Sequence, residues 1–265
     1  MNDIIIRKYK PEDEHFINDP RGYNREKVFV AEVNNIVTGY MFLDISPGNC
    51  QVYIYINPEY RRRGIGTSLC HEAERMCREK NEYEFWSYYY DELVKGFVDK
   101  LGFYFTTSSI DAEYRGDFIP EQKRDMIRKC RIEDDERCSY IWNKGMHDMR
   151  LRVGYPESRI YETTEEDRKN FIDNLDDHFV LEENGKIVGY GIVCGDWIGA
   201  LAVVEEAMNK GYGTALAIFM TNEILRRGHK TARSCYEAKN ADSRHIHLKI
   251  GYIETATCYN SFKKI

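Results

Sequence analysis

The sequence predicts an α/β (α+β) fold assembled from two tandem copies of one module. Three observations carry this. A strand–turn–helix segment with glycines in its loop occurs twice, as Tyr55-Ile56-Asn57-Pro58-Glu59-Tyr60-Arg61-Arg62-Arg63-Gly64-Ile65-Gly66-Thr67 and as Ala202-Val203-Val204-Glu205-Glu206-Ala207-Met208-Asn209-Lys210-Gly211-Tyr212-Gly213-Thr214. Two apolar runs meet at a tight turn before each loop, at Asn34-Asn35 and at Asn184-Gly185, which is a hairpin signal. The segments around these features recur in the same order in both halves, and a repeat unit this long is a domain rather than a solenoid turn.

The elements follow in order. Residues 3–9 read as a strand, 27–33 and 36–44 as a hairpin, and 51–57 as a fourth, alternating strand. A helix opens at Gly64 and runs to about Lys80. A fifth strand covers 83–89, a short helix 91–100 closed by Gly102, and strand structure 103–114. The second half repeats the plan with a strand near 125–131, helices around 134–146 and 164–174, and a hairpin at 178–194. A strand at 198–204, a helix from Gly213 to Arg227 stopped by Gly228, a strand at 230–236, a helix near 240–249 and closing strands from 252 complete it. The expected boundaries are a first module at 1–114, a linker at 115–124 containing Gly116 and Pro120, and a second module at 125–265.

Corresponding pieces are legible residue by residue. Ile6-Arg7-Lys8 leading to Asp13 answers Ile127-Arg128-Lys129 leading to Asp134, and Phe29-Val30-Ala31-Glu32 answers Phe179-Val180-Leu181-Glu182. Lys100-Leu101-Gly102-Phe103 answers Lys249-Ile250-Gly251-Tyr252. The halves differ between their first two strands. The second copy has a longer, helical insert there, whereas the first has only Glu14–Glu26, where Pro20 and Gly22 oppose a long helix.

Composition narrows the class. With 42% hydrophobic and 31% charged residues the chain reads as an ordinary soluble protein, and no apolar run approaches the roughly 20 residues of a membrane span. Met1-Asn2-Asp3-Ile4 shows no signal-peptide pattern, so a cytoplasmic location is expected. The 8 cysteines are scattered without a C-x-x-C pair, which argues against zinc and a disulfide framework; Cys70, Cys77 and Cys194 read as core residues. A net charge of −6 argues against nucleic-acid binding and is compatible with an amine substrate.

The two loops carry the chemistry. A helix N-terminus presents unpaired N–H groups and partial positive charge, and glycines let the backbone approach an anion closely. Each loop therefore reads as a phosphate cradle. The competing reading of Arg61, Arg62 and Arg63 is a solvated turn. His245 and His247 are two apart, not at the spacing of a helical metal pair, and no metal is expected. Tyr88, Tyr89 and Tyr90 read as strand and edge aromatics, with a ligand cleft as the alternative.

Arg61-Arg62-Arg63-Gly64-Ile65-Gly66 resembles the Gln/Arg-x-x-Gly-x-Gly/Ala loop of the GNAT superfamily of acyl-CoA-dependent N-acetyltransferases. Gly211 and Gly213 match the same loop in the second copy, where Met208 departs from it. Asn240, Ser243, Lys249 and Gly251 match the family's late-helix pattern, with His247 in place of its tyrosine. In the first copy Asp91 and Val98 depart from that pattern. The resemblance covers nearly the whole chain as two modules. It implies a mixed, mostly antiparallel twisted sheet flanked by helices in each, with acetyl-CoA between splayed fourth and fifth strands. It further implies pantetheine along the edge at Ile54 and Ile56, or Leu201 and Val203. Pyrophosphate would lie on the loop of Arg61, Arg62, Arg63, Gly64, Gly66 and Thr67, or of Asn209, Lys210, Gly211, Gly213 and Thr214. Asn240 is a further cofactor contact, and a helix cap is its other reading.

Acetyl transfer to an amine by direct attack on the thioester needs a base, an oxyanion donor and an acid. Val203 N–H is the expected oxyanion donor. His247 suits the acid, since histidine titrates near neutral pH. Asp196 and Glu182 are the candidate bases. The expected enzyme is an acetyl-CoA-dependent N-acetyltransferase acting on a small-molecule or peptide amine, with catalysis in the second module. Catalysis in the first module, a non-catalytic acyl-CoA sensor and a purely structural protein are the alternatives. A homodimer is an open arrangement, and neither nucleic acid nor membrane is expected as a partner.

Overall fold

The computed structural model describes residues 3–17, 23–46, 50–156, 158, 160 and 162–265. Two compact units emerge, residues 1–107 with 258–265, and residues 108–257.

The first unit contains β1 (Ile4–Lys8), β2 (Val28–Val33), β3 (Ile36–Asp44), β4 (Cys50–Ile56), α1 (Ile65–Glu79), β5 (Glu84–Tyr89) and α2 (Lys95–Lys100). Strand β6 (Phe105–Tyr114) begins in it. The second unit takes up the rest of β6, then β7 (Ile127–Lys129), α3 (Asp135–Arg152), α4 (Glu165–Asp173), β8 (His178–Glu183) and β9 (Lys186–Cys194). It continues with β10 (Trp197–Val203), α5 (Tyr212–Arg226), β11 (Ala232–Glu237), α6 (Ala241–Lys249) and β12 (Ile253–Lys264).

In each unit the sheet is mixed and mostly antiparallel. The first runs β1-β2-β3-β4-β5, with the end of β12 on the far edge of β5. The second runs β7-β8-β9-β10-β11-β6. The one parallel pairing in each sheet lies between its fourth and fifth strands, β4 with β5 and β10 with β11. The hairpin turns are the same in both units: Asn34 and Asn35 have φ of 51° and 62°, and Asn184 and Gly185 have φ of 51° and 73°. Paired left-handed residues of this kind match the twist of the strands they join.

The repeated Arg, Asp and Glu explain themselves here. Arg7 donates to both oxygens of Asp13 at 2.7 and 3.0 Å and to Glu32 at 2.8 Å. Arg128 donates to Asp134 at 2.6 and 3.2 Å and to Glu182 at 2.6 Å. Each aspartate also accepts a backbone N–H three residues earlier, from Lys10 or Arg131. The fork ties the first strand, the turn after it and the second strand together with charge-assisted bonds. Hydrogen bonding to Arg7 holds the Asp13 carboxyl below its ordinary value.

Sheet faces are covered differently in the two units. Helix α1 buries Ile65, Leu69, Ala73 and Cys77 against one face of the first sheet, and α5 does the same for the second. On the opposite face the second unit carries α3 and α4, the long insert read from the sequence. Gly145 of α3 approaches so closely that a Cβ there would lie 3.4 Å from Ala202 Cβ. The first unit has no such helix among its described residues. Only 3-10 turns at Pro11–Phe16 and Arg25–Lys27 appear there, and Pro20 and Gly22 lie outside the described residues. Tyrosines occupy the space instead: Tyr23 stacks on Phe42 at 4.0 Å, and Tyr53 on Tyr88 at 5.1 Å.

The boundaries differ from those expected. Residues 109–114, assigned above to the first module, pair with β11 of the second unit. Residues 258–265, assigned to the second module, belong to the first unit, where 259–264 pair with β5. Lys263 anchors that return, donating to Glu74 on α1 at 2.5 Å and to the Leu101 carbonyl. Segment 115–123 is also no free linker, since Asn222 bonds both the N–H and the carbonyl of Ile119 at 2.9 and 2.8 Å. Cys194, read as core, is exposed; Cys70 and Cys77 are buried.

A chain ending at Thr257 is expected to lose the first unit selectively, because β5 loses a strand partner and Glu74 its lysine. Limited trypsin digestion checks this: residues 1–107 are cleaved while 108–257 persist. Equal resistance of both units in the truncated chain contradicts the assignment.

Candidate active site

The parallel strand pairs are short, and where they stop an opening begins. Strand β4 pairs with β5 over Cys50, Gln51 and Val52, and β10 pairs with β11 at Trp197. Past those residues the strands part. Backbone polarity on the freed edges follows from alternation. Asn57 N–H bonds the Thr38 carbonyl at 3.0 Å, and Val204 N–H bonds the Val188 carbonyl at 2.9 Å. The neighbours Ile56 and Val203, and Ile54 and Leu201 two residues further back, therefore turn their N–H and C=O groups toward the opening. These are the four edge residues named from the sequence.

The two edges are not equivalent. The pairing of β10 with β9 slips by one residue between Ile198 and Ala200, whereas β4 pairs with β3 without interruption. The extra residue is Gly199, and a Cβ on it would lie 2.8 Å from Cys194 Sγ. A bulge bends its strand and re-aims the backbone that follows.

At the open end of each strand pair lies a loop of matching geometry. Arg62 and Gly64 have φ of 65° and 86°, and Asn209 and Gly211 have φ of 62° and 79°. Left-handed residues alternating with right-handed ones turn successive N–H groups inward and make an anion-binding concavity. Thr67 and Thr214 stand in the first turns of α1 and α5 behind it. Over the second glycine of each loop sits one apolar side chain from the late helix: a Cβ on Gly66 would meet Phe97 at 3.0 Å, and one on Gly213 would meet Ile246 at 3.0 Å. The backbone thus fits a diphosphate in both units.

Charge separates the loops. The first carries three consecutive arginines; Arg61 Nε donates to the Ile56 carbonyl at 3.1 Å and Arg63 lies over the Tyr60 ring at 5.3 Å. In the second, Lys210 is paired with Glu183 at 2.9 Å, and Tyr212 OH donates to the same carboxylate. Those two bonds, Tyr212 first, hold the Glu183 carboxyl below its ordinary value. Lys123 adds a cation 5.1 Å from the Tyr212 ring.

The expected acid and bases lie elsewhere than their roles require. His247 is buried, with Nδ1 2.7 Å from the Ser243 carbonyl and Nε2 2.8 Å from Ser234 Oγ. A carbonyl only accepts, so Nδ1 carries the proton and Nε2 receives the Ser234 hydroxyl. Tyr236 and Tyr252 pack on the ring at 4.9 and 5.1 Å. Val98 holds the same place in the first unit and is equally buried, so this is a core position. Glu182 is the third member of the Arg128 fork. Asp196 sits in the β9–β10 turn, bound to Arg233 at 2.6 Å. At about 3.3 Å per residue that is roughly 20 Å from Val203, at the closed end of the strand pair. Asn240 caps α6 by accepting from Ser243 N–H at 3.3 Å, as Asp91 accepts from Leu93 N–H at 2.9 Å.

Two features of the site were not read from the sequence. One is the bulge, for which a glycine inside an apolar strand is a usable signal. The other is Glu237 at the end of β11, which accepts a hydrogen bond from Tyr155. Of the three adjacent tyrosines, Tyr88 and Tyr89 are buried and Tyr90 is exposed. Among the described residues no group of three or more His, Cys, Asp or Glu could hold a metal, and no helix is long and apolar enough to cross a membrane.

Comparison with known proteins agrees with this architecture. Residues 24–104 match the acetyltransferase (GNAT) domain family, and residues 194–261 match the FR47-like protein family. The mycothiol acetyltransferase of Saccharomonospora viridis is 24% identical over 253 residues, covering 84% of this chain and 79% of its own. The GCN5-related N-acetyltransferase of Sphaerobacter thermophilus has the same fold, with a TM-score of 0.71 at 16% identity over 98% of this chain and 95% of that one. A tandem GNAT protein from the clavulanic acid biosynthesis pathway superposes with a TM-score of 0.59 at 15% identity, covering 89% of this chain and 82% of that one.

Burial holds His247 and His178 below their ordinary value of 6.5. As pH falls, the unfolded chain takes up these protons before the folded one. Their contribution to stability is whole above about pH 6.5 and is lost on the way down to the folded-state values, at up to about 1.4 kcal/mol per pH unit for each histidine. Urea denaturation between pH 7.5 and 5 is expected to show that slope, reduced in His247→Gln. An unchanged slope in the variant contradicts the burial argument.

Proposed function

We propose that this chain is an acetyltransferase of the GNAT superfamily, in keeping with the domains it matches, and that its second unit transfers an acetyl group from acetyl-CoA to a primary amine of a small molecule or peptide. The observation that carries this reading is the coincidence, in one unit, of a phosphate-shaped loop, a strand edge with outward amides, a bulge in that strand and a helical wall over it. Among the described residues the first unit has the loop and the edge, but its β4 carries no bulge and no helix covers that face.

The residues that would hold the diphosphate are Asn209, Lys210, Gly211, Gly213 and Thr214, through main-chain N–H groups at the start of α5. Leu201 and Val203 would hold the pantetheine amides as an added strand does. Acetyl-CoA supplies the acetyl group already activated as a thioester. The chain's part is to fix that group beside a neutral amine and to place an N–H where negative charge develops. A preset backbone donor needs no reorganisation during reaction and is worth about 3 kcal/mol in comparable sites. The amide of Val203, with that of Leu201, would fill this role.

The first unit holds the coenzyme without turning it over. Arg61, Arg62, Arg63, Gly64, Gly66 and Thr67 make the more cationic cradle, which supports binding. Against turnover, Arg61 takes the Ile56 carbonyl on the strand edge, and Tyr53 and Tyr88 stack where the acceptor would have to lie.

Gly211→Glu, which sets a carboxylate at the second concavity, is expected to abolish acetylation of a panel of amines and to remove coenzyme binding in that unit. Gly64→Glu is expected to leave turnover within about twofold of wild type. Thiol-release assays and calorimetry with coenzyme A read both. The opposite pattern moves catalysis to the first unit.

A further inference from the structure

The bases expected from sequence are tied into ion pairs away from the opening, so the amine's proton needs another receiver. Strand β11 offers one. Ala232 and Tyr236 point into the α5 core and Ser234 toward His247. Arg233, Cys235 and Glu237 therefore project from the other face, the one that α3 covers. Counting along the parallel register from Trp197 opposite Arg233 sets Glu237 level with Leu201, or with Ala202 once the bulged Gly199 is allowed for. Glu237 thus faces, across the parted strands, the edge whose amides are turned outward.

Helix α3 bridges that gap. Its Gly145 lies on Ala202 of β10. Its C-terminus closes in a left-handed glycine, Gly154 with φ 94°, and Tyr155 N–H returns to the Arg150 carbonyl at 3.0 Å. That Schellman turn throws Tyr155 across to β11, where its hydroxyl donates to Glu237 Oε1. Arg150 lies 6.0 Å from the Tyr155 ring, and Arg152 lies 3.7 Å from Asp242. On the β10 side the wall is Ala200 and Ala202. In the first unit the place of Glu237 is taken by Tyr88.

We propose that Glu237 is the general base of the second unit, held by Tyr155, and that the acceptor is an unhindered primary ammonium which this carboxylate both binds and deprotonates. The inference rests on the acetyltransferase reading above. A carboxylate has about four acceptor positions, so the tyrosine bond and an ammonium are compatible. The ammonium gives one proton to Glu237, leaving a neutral amine and a carboxylic acid. The amine's electron pair forms the C–N bond to the thioester carbon, and the C–S bond breaks. The departing thiolate takes the surplus proton from the new amide nitrogen, and Glu237 returns its proton to water.

The test uses the full chain, acetyl-CoA and n-propylamine as a minimal acceptor, with thiol release as the readout. Wild type should release thiol faster with propylamine than without. Glu237→Gln should lose about a hundredfold in kcat, the usual scale of general-base catalysis, with coenzyme A affinity unchanged by calorimetry. Tyr155→Phe, a milder change, should lower kcat about tenfold, because the carboxylate is held less firmly, and should leave coenzyme A affinity unchanged. Glu237→Gln turnover within twofold of wild type, or Tyr155→Phe turnover equal to that of wild type, overturns the assignment. Propylamine giving no acceleration in a protein that binds acetyl-CoA overturns the acceptor class. Failure of wild type to bind coenzyme A overturns the acetyltransferase reading itself, a distinguishable result.

Discussion

Main-chain amides without a place in a ladder or a helix govern this molecule. A strand whose partner diverges and a helix in its first turn both leave N–H groups that must find an acceptor. Here the two lie end to end: β10 runs out of its pairing with β11 and leads, through one loop, into α5. The same holds for β4 and α1. The parted strands, the left-handed loop residues and the glycines all turn those amides toward one opening.

Duplication preserved what holds such a sheet and changed what surrounds it. The Arg–Asp–Glu fork, the two-residue hairpin turn and the left-handed loop residues recur in both units, the widest difference in φ being 62° at Asn35 against 73° at Gly185. The uncovered sheet face was solved in two ways. Alanines on β10 and a glycine on α3 bring a helix into contact in the second unit, whereas large aromatics fill the face in the first. A helix laid across parted strands leaves a roofed opening; stacked rings close one. Two copies of the same backbone thereby carry openings with differently covered faces.

The loops, the strand order and the longer insert were legible because each is a local pattern: glycine spacing, alternation, a turn pair. The catalytic assignments were less so. Glu182 and Asp196 are carboxylates near the right strands in sequence, and only their partners Arg128 and Arg233, one 54 residues away, show that they serve the fold. His247 occupies a helix position whose counterpart is Val98, and burial there depends on the angle at which α6 meets β11. Glu237 carries no local signal, since the hydroxyl it accepts from arrives with Tyr155 at the end of α3.

Taken alone, the amino-acid order determined that the chain holds two related α/β modules, each with a glycine-bearing loop that opens a helix, because those properties reside in short stretches of backbone preference. Tertiary structure alone decided which strand closes which unit and that Glu182 and Asp196 are committed to ion pairs. Those outcomes depend on residues far apart in the chain meeting in space, and neither spacing nor composition encodes that meeting.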